Sequence, residues 1–375
     1  MPSRSVDVIV VGAGIFGAAG ALALAQRGHT VTLIDPGPIP HPLAASTDLS
    51  KLVRLDYGAD AFYVEVMERA LARWRSDPLF HETGVLFLTR AAMEGGFERD
   101  SFELLTARGH ALERLDADEI ARRFPAWAPG AYLDGYYNPE GGWAESGRVL
   151  AAYVERAREA GVDVRAGERV VDIARGVRTE RDFLPAHTVV VAAGAWTPAL
   201  VPELRGALRV VGQPVFHLVP PAPRAFTPPD FVPWSADIAR TGWYGFALHP
   251  SGVVKIANHG PGTVIDPDAP RALPEGAEAR VRAFVEPALP ALAGAPLAGT
   301  RLCLYTDSAD GDLWITRHPS REDLVIASGG SGHGFKLAPL LGDWIANAVE
   351  GVTDEATPRF GWRTPRSRLE PARHG

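Results

Sequence analysis

The chain has 375 residues, 46% apolar and 22% charged, with a formal net charge of −7. This is ordinary globular composition, enough for one large or two intertwined domains with ample core. The acidic balance argues against a nucleic-acid or anionic-membrane surface, and no stretch approaches a membrane span. MPSRS leads straight into an apolar strand and the chain ends ARHG, so neither a signal peptide nor a peroxisomal address is expected and a cytoplasmic location is.

Taken in order, Val6 to Val11 is a short apolar, β-branched run that reads as a buried parallel strand. Gly12, Gly14 and Gly17 follow at GxGxxG spacing. Ile15 to Gln26 is Ala/Leu-rich and helical, with Gly28 as its stop, and Val31 to Ile34 is a second strand ending on Asp35. In this arrangement Gly12 permits the tight turn, Gly14 lets a pyrophosphate approach the backbone, and Gly17 lets the helix pack close to the strand. The helix N-terminus offers free N–H groups and partial positive charge to phosphates, and Asp35 is placed to accept from a ribose diol. A dinucleotide site is therefore expected; the motif alone does not distinguish FAD from NAD.

After a Pro-rich connection comes AASTDLSKLVRLDYG, whose small and hydroxyl residues 44–50 suit close approach to a flat ring system. Lys51 and Arg54 are three apart and share a face if this stretch is a helical turn. Residues 60–75 form an amphipathic helix with Phe62, Val66, Ala70 and Trp74 on its core stripe. Strands are expected at 84–89 and 131–137, and short helices at 97–109 and 117–124. Ser146 caps a helix that Gly161 ends, and strands follow at 162–165 and 169–173. TVVVAA at 188–193 runs into Gly194-Ala195-Trp196, a second strand that turns through a glycine.

Strands at 208–219, 231–235, 242–249 and 252–258 read as a meander, with Pro250-Ser251-Gly252 as a hairpin turn. Pro274 starts a helix to about Ala288. Strands at 301–306 and 324–328 precede the glycine loop 329–334, which opens a final helix from Lys336 to Val349. The tail after Thr357 reads as a poorly packed extension. The βαβ signals sit at the start, middle and end, with antiparallel signals between them. This implies an α/β dinucleotide domain interleaved with an antiparallel-sheet α+β domain, and a ligand between them.

Two scarcities stand out. Cys303 is the single cysteine, so no intramolecular disulfide and no cysteine-based metal site is possible, and no metal is expected. Of 38 basic residues only Lys51, Lys255 and Lys336 are lysines. Against such an arginine bias, lysine is expected where a compact ammonium is required.

Read together, VVGAGIFG, SKLVRLDYG, VVVAAGAW, GFALHPSGVVKIANHGPGTVIDPD, CLYTDSADGDLWI and SGGSGHGFK resemble the monomeric sarcosine oxidase family of flavin amine oxidases over nearly the whole chain. The resemblance implies a Rossmann-type FAD-binding domain (1–83, 141–207 and 300–360), a substrate domain (84–140 and 208–299) and a tail (361–375). It implies FAD held by Gly12, Gly14, Ile15, Phe16, Gly17, Asp35, Ser50, Lys51, Val170, Gly194, Trp196, Gly332, His333, Gly334, Phe335 and Lys336, with a thioether to Cys303. Asp35 stands where the family often has Glu, and Lys51 where sarcosine oxidases carry Arg.

The resemblance further implies Lys255 at the site of O2 reduction, Arg54 and Lys336 on the substrate carboxylate, and Tyr244, Tyr305 and His259 around the substrate. Lys255, His259 and Tyr305 are the candidate catalytic residues. The implied activity is oxidation of a secondary amino acid, N-methyl or cyclic, to an imine with H2O2 formed from O2. The partners expected are a small amino acid and O2, acting on a monomer. The alternatives are a fructosyl amino acid oxidase, or a flavin dehydrogenase that passes electrons to a protein. Trp234, Trp243, Tyr244 and Phe246 suggest an aromatic pocket wall, some of it simply core.

Overall fold

The computed structural model describes residues 6–364. Val6–Val11 lies in the middle of a parallel sheet, flanked by Val31–Asp35 and Phe183–Val191. Asp163–Ala166 and Arg321–Ser328 extend it outward in the same direction. The Val/Ile/Leu runs follow from cover on both faces. Val8, Val10, Leu33, Val190 and Val325 point to the side packed by helices Ile15–Gln26, Ser146–Glu159 and Ala338–Glu350. Ile9, Val11, Ile34, Val191 and Ile326 point to the other, against Val170, Ile173, Val177 and Trp314. That side is built by a hairpin of Val170–Ala174 and Gly176–Thr179, which pairs antiparallel with the first half of Phe183–Val191. The sequence signal missed Gly176–Thr179, where glycine and arginine interrupt the apolar alternation.

A second, nine-stranded sheet is built from two excursions of the chain. One supplies Val85–Thr89, Glu113–Asp116 and Asp134–Asn138. The other supplies Leu208–Leu218, Trp234–Ala236, Trp243–Gly245, Val254–Asn258, Thr263–Val264 and Leu297–Ser308. The strands pair antiparallel except at one seam: Trp234–Ala236 runs parallel to Val85–Thr89, where the excursions meet. One face packs on helix Ala277–Ala288 through Phe216, Trp234, Val254, Ile256 and Phe284. Trp234 and Trp243 belong to this core, stacked on Phe284 at 5.7 and 4.8 Å, not to a pocket wall.

Several local expectations change. Lys51–Arg54 is a strand, paired with Gly141–Ala144, so Lys51 and Arg54 project to opposite sides instead of sharing a helical face. Ser146 is the first residue of its helix, not the cap, and its hydroxyl donates to the Asp48 carbonyl at 2.5 Å. The helix expected from Pro274 begins at Ala277. Lys336 lies in a 3-10 turn, Gly334–Leu337, ahead of the last long helix.

The chain past Thr357 packs well as far as it is described. Phe360 is fully buried, Arg359 donates to Asp60 and Asp312, and Arg363 donates to Asp310. The rest of the expected tail, 365–375, lies outside the described residues. Among the described residues no helix is long and apolar enough to cross a membrane, and no cluster of His, Cys, Asp and Glu suits a metal ion.

Candidate active site

The glycine turn closes as its spacing requires. Gly12 has φ +101°, and a Cβ there would lie 2.5 Å from the Ala192 carbonyl; one on Gly17 would lie 1.8 Å from the Gly12 carbonyl. Gly14 differs. Its φ is −72°, and a Cβ would meet only the Ser46 hydroxyl, at 3.7 Å. Its hydrogen is therefore not demanded by the protein, and the space in front of it is open. Gly194, at the end of the neighbouring parallel strand, likewise faces open space. Two such glycines at adjacent carboxyl ends of parallel strands form the crevice in which α/β sheets bind nucleotides. Asp35 is buried and accepts from the Ala13 and Gly37 N–H groups at 2.9 and 3.0 Å, which leaves acceptor capacity for a diol. Trp196 donates to Asp268 at 2.9 Å, and Val170 is buried in the core beneath.

Strand alternation builds the second part. In the registers of the nine-stranded sheet His217 faces Lys255, Val215 faces Ala257 and Arg301, Gln213 faces Cys303, and Val211 faces Tyr305. Tyr244 faces Ala257 on the next strand. All these side chains share the face opposite the helix-packed core, because alternate residues on paired strands align. Tyr244 and Tyr305 bring their hydroxyls to 3.3 Å, His259 packs beside Tyr305, and Cys303 is 1% exposed among them.

Two segments join this face to the glycine turn. The first is 44–54. The Ser46 hydroxyl accepts from the Ile15 N–H at the helix start, at 3.1 Å. Asp48 then meets Lys255, whose ammonium also donates to the Ser50 carbonyl at 2.6 Å and lies 4.5 Å from the Phe246 ring centre. Lys51 reaches the same carboxylate at 3.4 Å. Burial depresses Lys255 to about 8, although Asp48 acts in the opposite direction. Burial also disfavours charge on Asp48, but Lys255 and Lys51 outweigh it and hold the carboxyl well below its usual range. For Lys51, burial is outweighed by Cys303, Asp48 and Tyr244, and the ammonium is held above its usual range.

The second joining segment is 329–336. Gly330 and Gly334 pack on the Phe16 ring, and a Cβ on Gly332 would strike Tyr305 at 2.4 Å and His259 at 2.9 Å. His333 donates from Nε2 to the Gly311 carbonyl at 2.8 Å, and its Nδ1 shares a hydrogen bond with the Tyr57 hydroxyl at 2.9 Å. Phe335 stacks toward Trp74, which donates to the Lys336 carbonyl.

Both segments end at Tyr57. The Lys336 ammonium lies 4.1 Å, and the Arg54 guanidinium carbon 5.4 Å, from the centre of its ring. Lys336 is 4% exposed, and Arg54 Nη1 is buried with no hydrogen-bond partner. A buried guanidinium nitrogen left unpaired costs free energy that a bound carboxylate would recover. The structure thus gathers Lys51, Lys255, Tyr244, Tyr305, His259 and Cys303 at one sheet face and Arg54 with Lys336 at Tyr57, and the two segments that carry these groups both touch the glycine turn, through Ser46 on Ile15 and Gly330 and Gly334 on Phe16.

Sequence reasoning missed Asp48, Ser46 and Tyr57. Their signal was proximity to Lys51 and Arg54 in the same stretch, obscured because TDLS has the composition of an ordinary turn.

A family model described as FAD dependent oxidoreductase matches residues 7–348. Monomeric sarcosine oxidase from Bacillus sp. (strain B-0618) is 29% identical, with 97% of each chain covered. N-methyl-L-tryptophan oxidase from Salmonella newport (strain SL254) is 29% identical, covering 92% of this chain and 95% of that one. Among solved structures, the fructosamine oxidase Amadoriase II from Aspergillus fumigatus is similar with a TM-score of 0.84 at 25% identity, covering 96% of this chain and 90% of that one.

Proposed function

The chain belongs to the FAD dependent oxidoreductase family, and on that premise we propose that it is a flavin oxidase of secondary amino acids, N-methyl or cyclic, with O2 as electron acceptor. The relatives named as sarcosine and N-methyl-L-tryptophan oxidases support the substrate class. The observation that carries the reading is the convergence of Arg54 and Lys336 on one tyrosine ring, with the loop that carries Lys336 packed through Gly332 on Tyr305 of the sheet face that also carries Lys255 and Cys303.

The residues present fit FAD: the open space before Gly14 and Gly194, and the acceptor capacity left on Asp35, match a pyrophosphate and a ribose. Bound there, FAD supplies the two-electron acceptor that takes an amine to an imine and is restored by O2 with release of H2O2. Phe16, Ile15, Ser50, Val170, Trp196 and the loop of Gly332, His333, Gly334 and Phe335 complete its site. We assign residues 6–83, 141–207 and 309–360 to the cofactor domain and 84–140 with 208–308 to the substrate domain; the boundary expected at 300 moves to 309 because strand Leu297–Ser308 pairs along its length with Leu208–Leu218.

Arg54 and Lys336 clamp the substrate carboxylate, which fixes the amine nearby at little entropic cost once bound. Tyr244, Tyr305 and His259 wall the amine's surroundings and exclude water. Lys255 is a preorganised cation for negative charge developing on oxygen. Cys303 is the attachment point of the cofactor, a role consistent with its being the sole cysteine, buried between Lys51 and Tyr305.

A second reading, a fructosyl amino acid oxidase, draws on the likeness to the Aspergillus fumigatus enzyme. The test is O2 consumption and H2O2 release with sarcosine, proline, pipecolate, N-methyl-tryptophan and fructosyl-glycine. Equimolar H2O2 from one of the first four supports secondary amino acids. Turnover of fructosyl-glycine alone supports the second reading. A reduced flavin that persists in air removes the oxidase assignment.

A further inference from the structure

Lys255 does not stand alone on its sheet face. Its ammonium has three N–H donors; one goes to the Asp48 carboxylate and one to the Ser50 carbonyl. Asp48 is itself immobilised. Its carbonyl accepts from the Ser146 hydroxyl and the Gly147 N–H, and its carboxylate accepts from the Leu49 N–H at 2.8 Å. Both side chains are buried, at 3% and 1% exposure. Lys51 and His217 approach the same carboxylate at 3.4 and 3.6 Å.

We propose that Asp48 is the positioning residue for Lys255: its carboxylate fixes the ammonium on the sheet face that carries Cys303 and Tyr305 and keeps it charged. The physical argument is desolvation. A lysine taken out of water without a counter-charge sheds its proton, because the neutral amine is far cheaper to bury than the ion. The other charged or titratable groups around Lys255 are Lys51 on the segment that carries Asp48, His217 directly opposite on the neighbouring strand, His249 on the turn that precedes the Lys255 strand, and Cys303. Lys51 pushes against the charge of Lys255, and Asp48 is the fixed anion that opposes both burial and this repulsion. The functional consequence rests on the proposed oxygen-site role of Lys255; the pairing does not.

The scarcity of lysine makes the pairing directly measurable. Holoenzyme labelled with ε-13C-lysine carries three labelled side chains, and the Lys255 signal is the one lost in Lys255→Met. In Asp48→Asn the Lys255 titration midpoint is expected to fall by at least about one pH unit, a tenfold drop in charged fraction above it, while Asp48→Glu stays near the wild-type midpoint. Flavin reoxidation by O2 at neutral pH should slow toward the Lys255→Met rate in Asp48→Asn and recover as the pH is lowered. An unchanged Lys255 midpoint in Asp48→Asn overturns the proposal.

Should Asp48→Asn not fold, the double variant with Lys255→Met is expected to recover the fold, since it removes the stranded cation. Failure of the double variant to do so contradicts the pairing. A shifted midpoint in Asp48→Asn, with reoxidation untouched in Lys255→Met, supports the pairing and removes the oxygen-site role instead.

Discussion

At the residue scale the account turns on Lys255 and Cys303. Burial brings Lys255 down from 10.5 to about 8, so it is charged below that pH and neutral above it. The rate of flavin reoxidation by O2 is therefore expected to be level at lower pH and to fall as the pH rises through about 8. Lys255→Met should flatten that profile and slow reoxidation far more than substrate-driven reduction; stopped-flow measurement of the two half-reactions checks this, and equal effects on both contradict it. Cys303→Ser is expected to fold and bind FAD, yet to release the flavin on acid precipitation, whereas the wild-type pellet stays yellow. A colourless wild-type pellet contradicts the covalent attachment. The rarity of lysine and cysteine pointed to these residues in the sequence, and the structure finds Lys255, Lys336 and Cys303 buried, with Lys51 partly so. Their partner Asp48 was not legible, because the pairing joins residues far apart in the chain and aspartate is common in turns.

At the element scale the glycine turn makes a prediction that separates folding from binding. A Cβ on Gly14 meets nothing in the protein closer than 3.7 Å. Gly14→Ala should therefore leave the apoprotein within about 1 kcal/mol of wild-type stability. Its methyl group protrudes into the space assigned to the pyrophosphate, so FAD affinity should fall at least roughly tenfold, equivalent to about 1.4 kcal/mol. Thermal melts of apoprotein and flavin titration read the two effects independently. Gly17→Ala should instead fail at folding, since its Cβ would overlap the Gly12 carbonyl at 1.8 Å. The βαβ unit was legible to the residue, because Val6–Val11, Ile15–Gln26 and Val31–Asp35 each carry local signals that agree. Lys51–Arg54 was not. Four residues carry too little periodicity to tell strand from helical turn, and pairing with Gly141–Ala144 decided it.

At the scale of the whole molecule, the last described turn ties the fold together. Arg359 donates twice to Asp60, the cap of helix Ala61–Trp74, and once to Asp312 near the end of the long sheet strand. Arg359→Met is expected to lower stability by about 2 kcal/mol, the loss of charge-assisted bonds to two partly buried carboxylates, with the visible spectrum of bound flavin unchanged; denaturant unfolding measures it. The packing of 357–364 and the parallel seam at Trp234–Ala236 both escaped the sequence, since each depends on contacts between distant segments that leave no local pattern. The central claim is that the crevice holds a flavin which the substrate clamped by Arg54 and Lys336 reduces. Its most direct test is the anaerobic visible spectrum of the purified protein during addition of sarcosine, proline, pipecolate and N-methyl-tryptophan. The account predicts a flavin spectrum bleached by at least one of them, and much less readily in Arg54→Met; a folded protein with no flavin spectrum, or one that none of them bleaches, would contradict it.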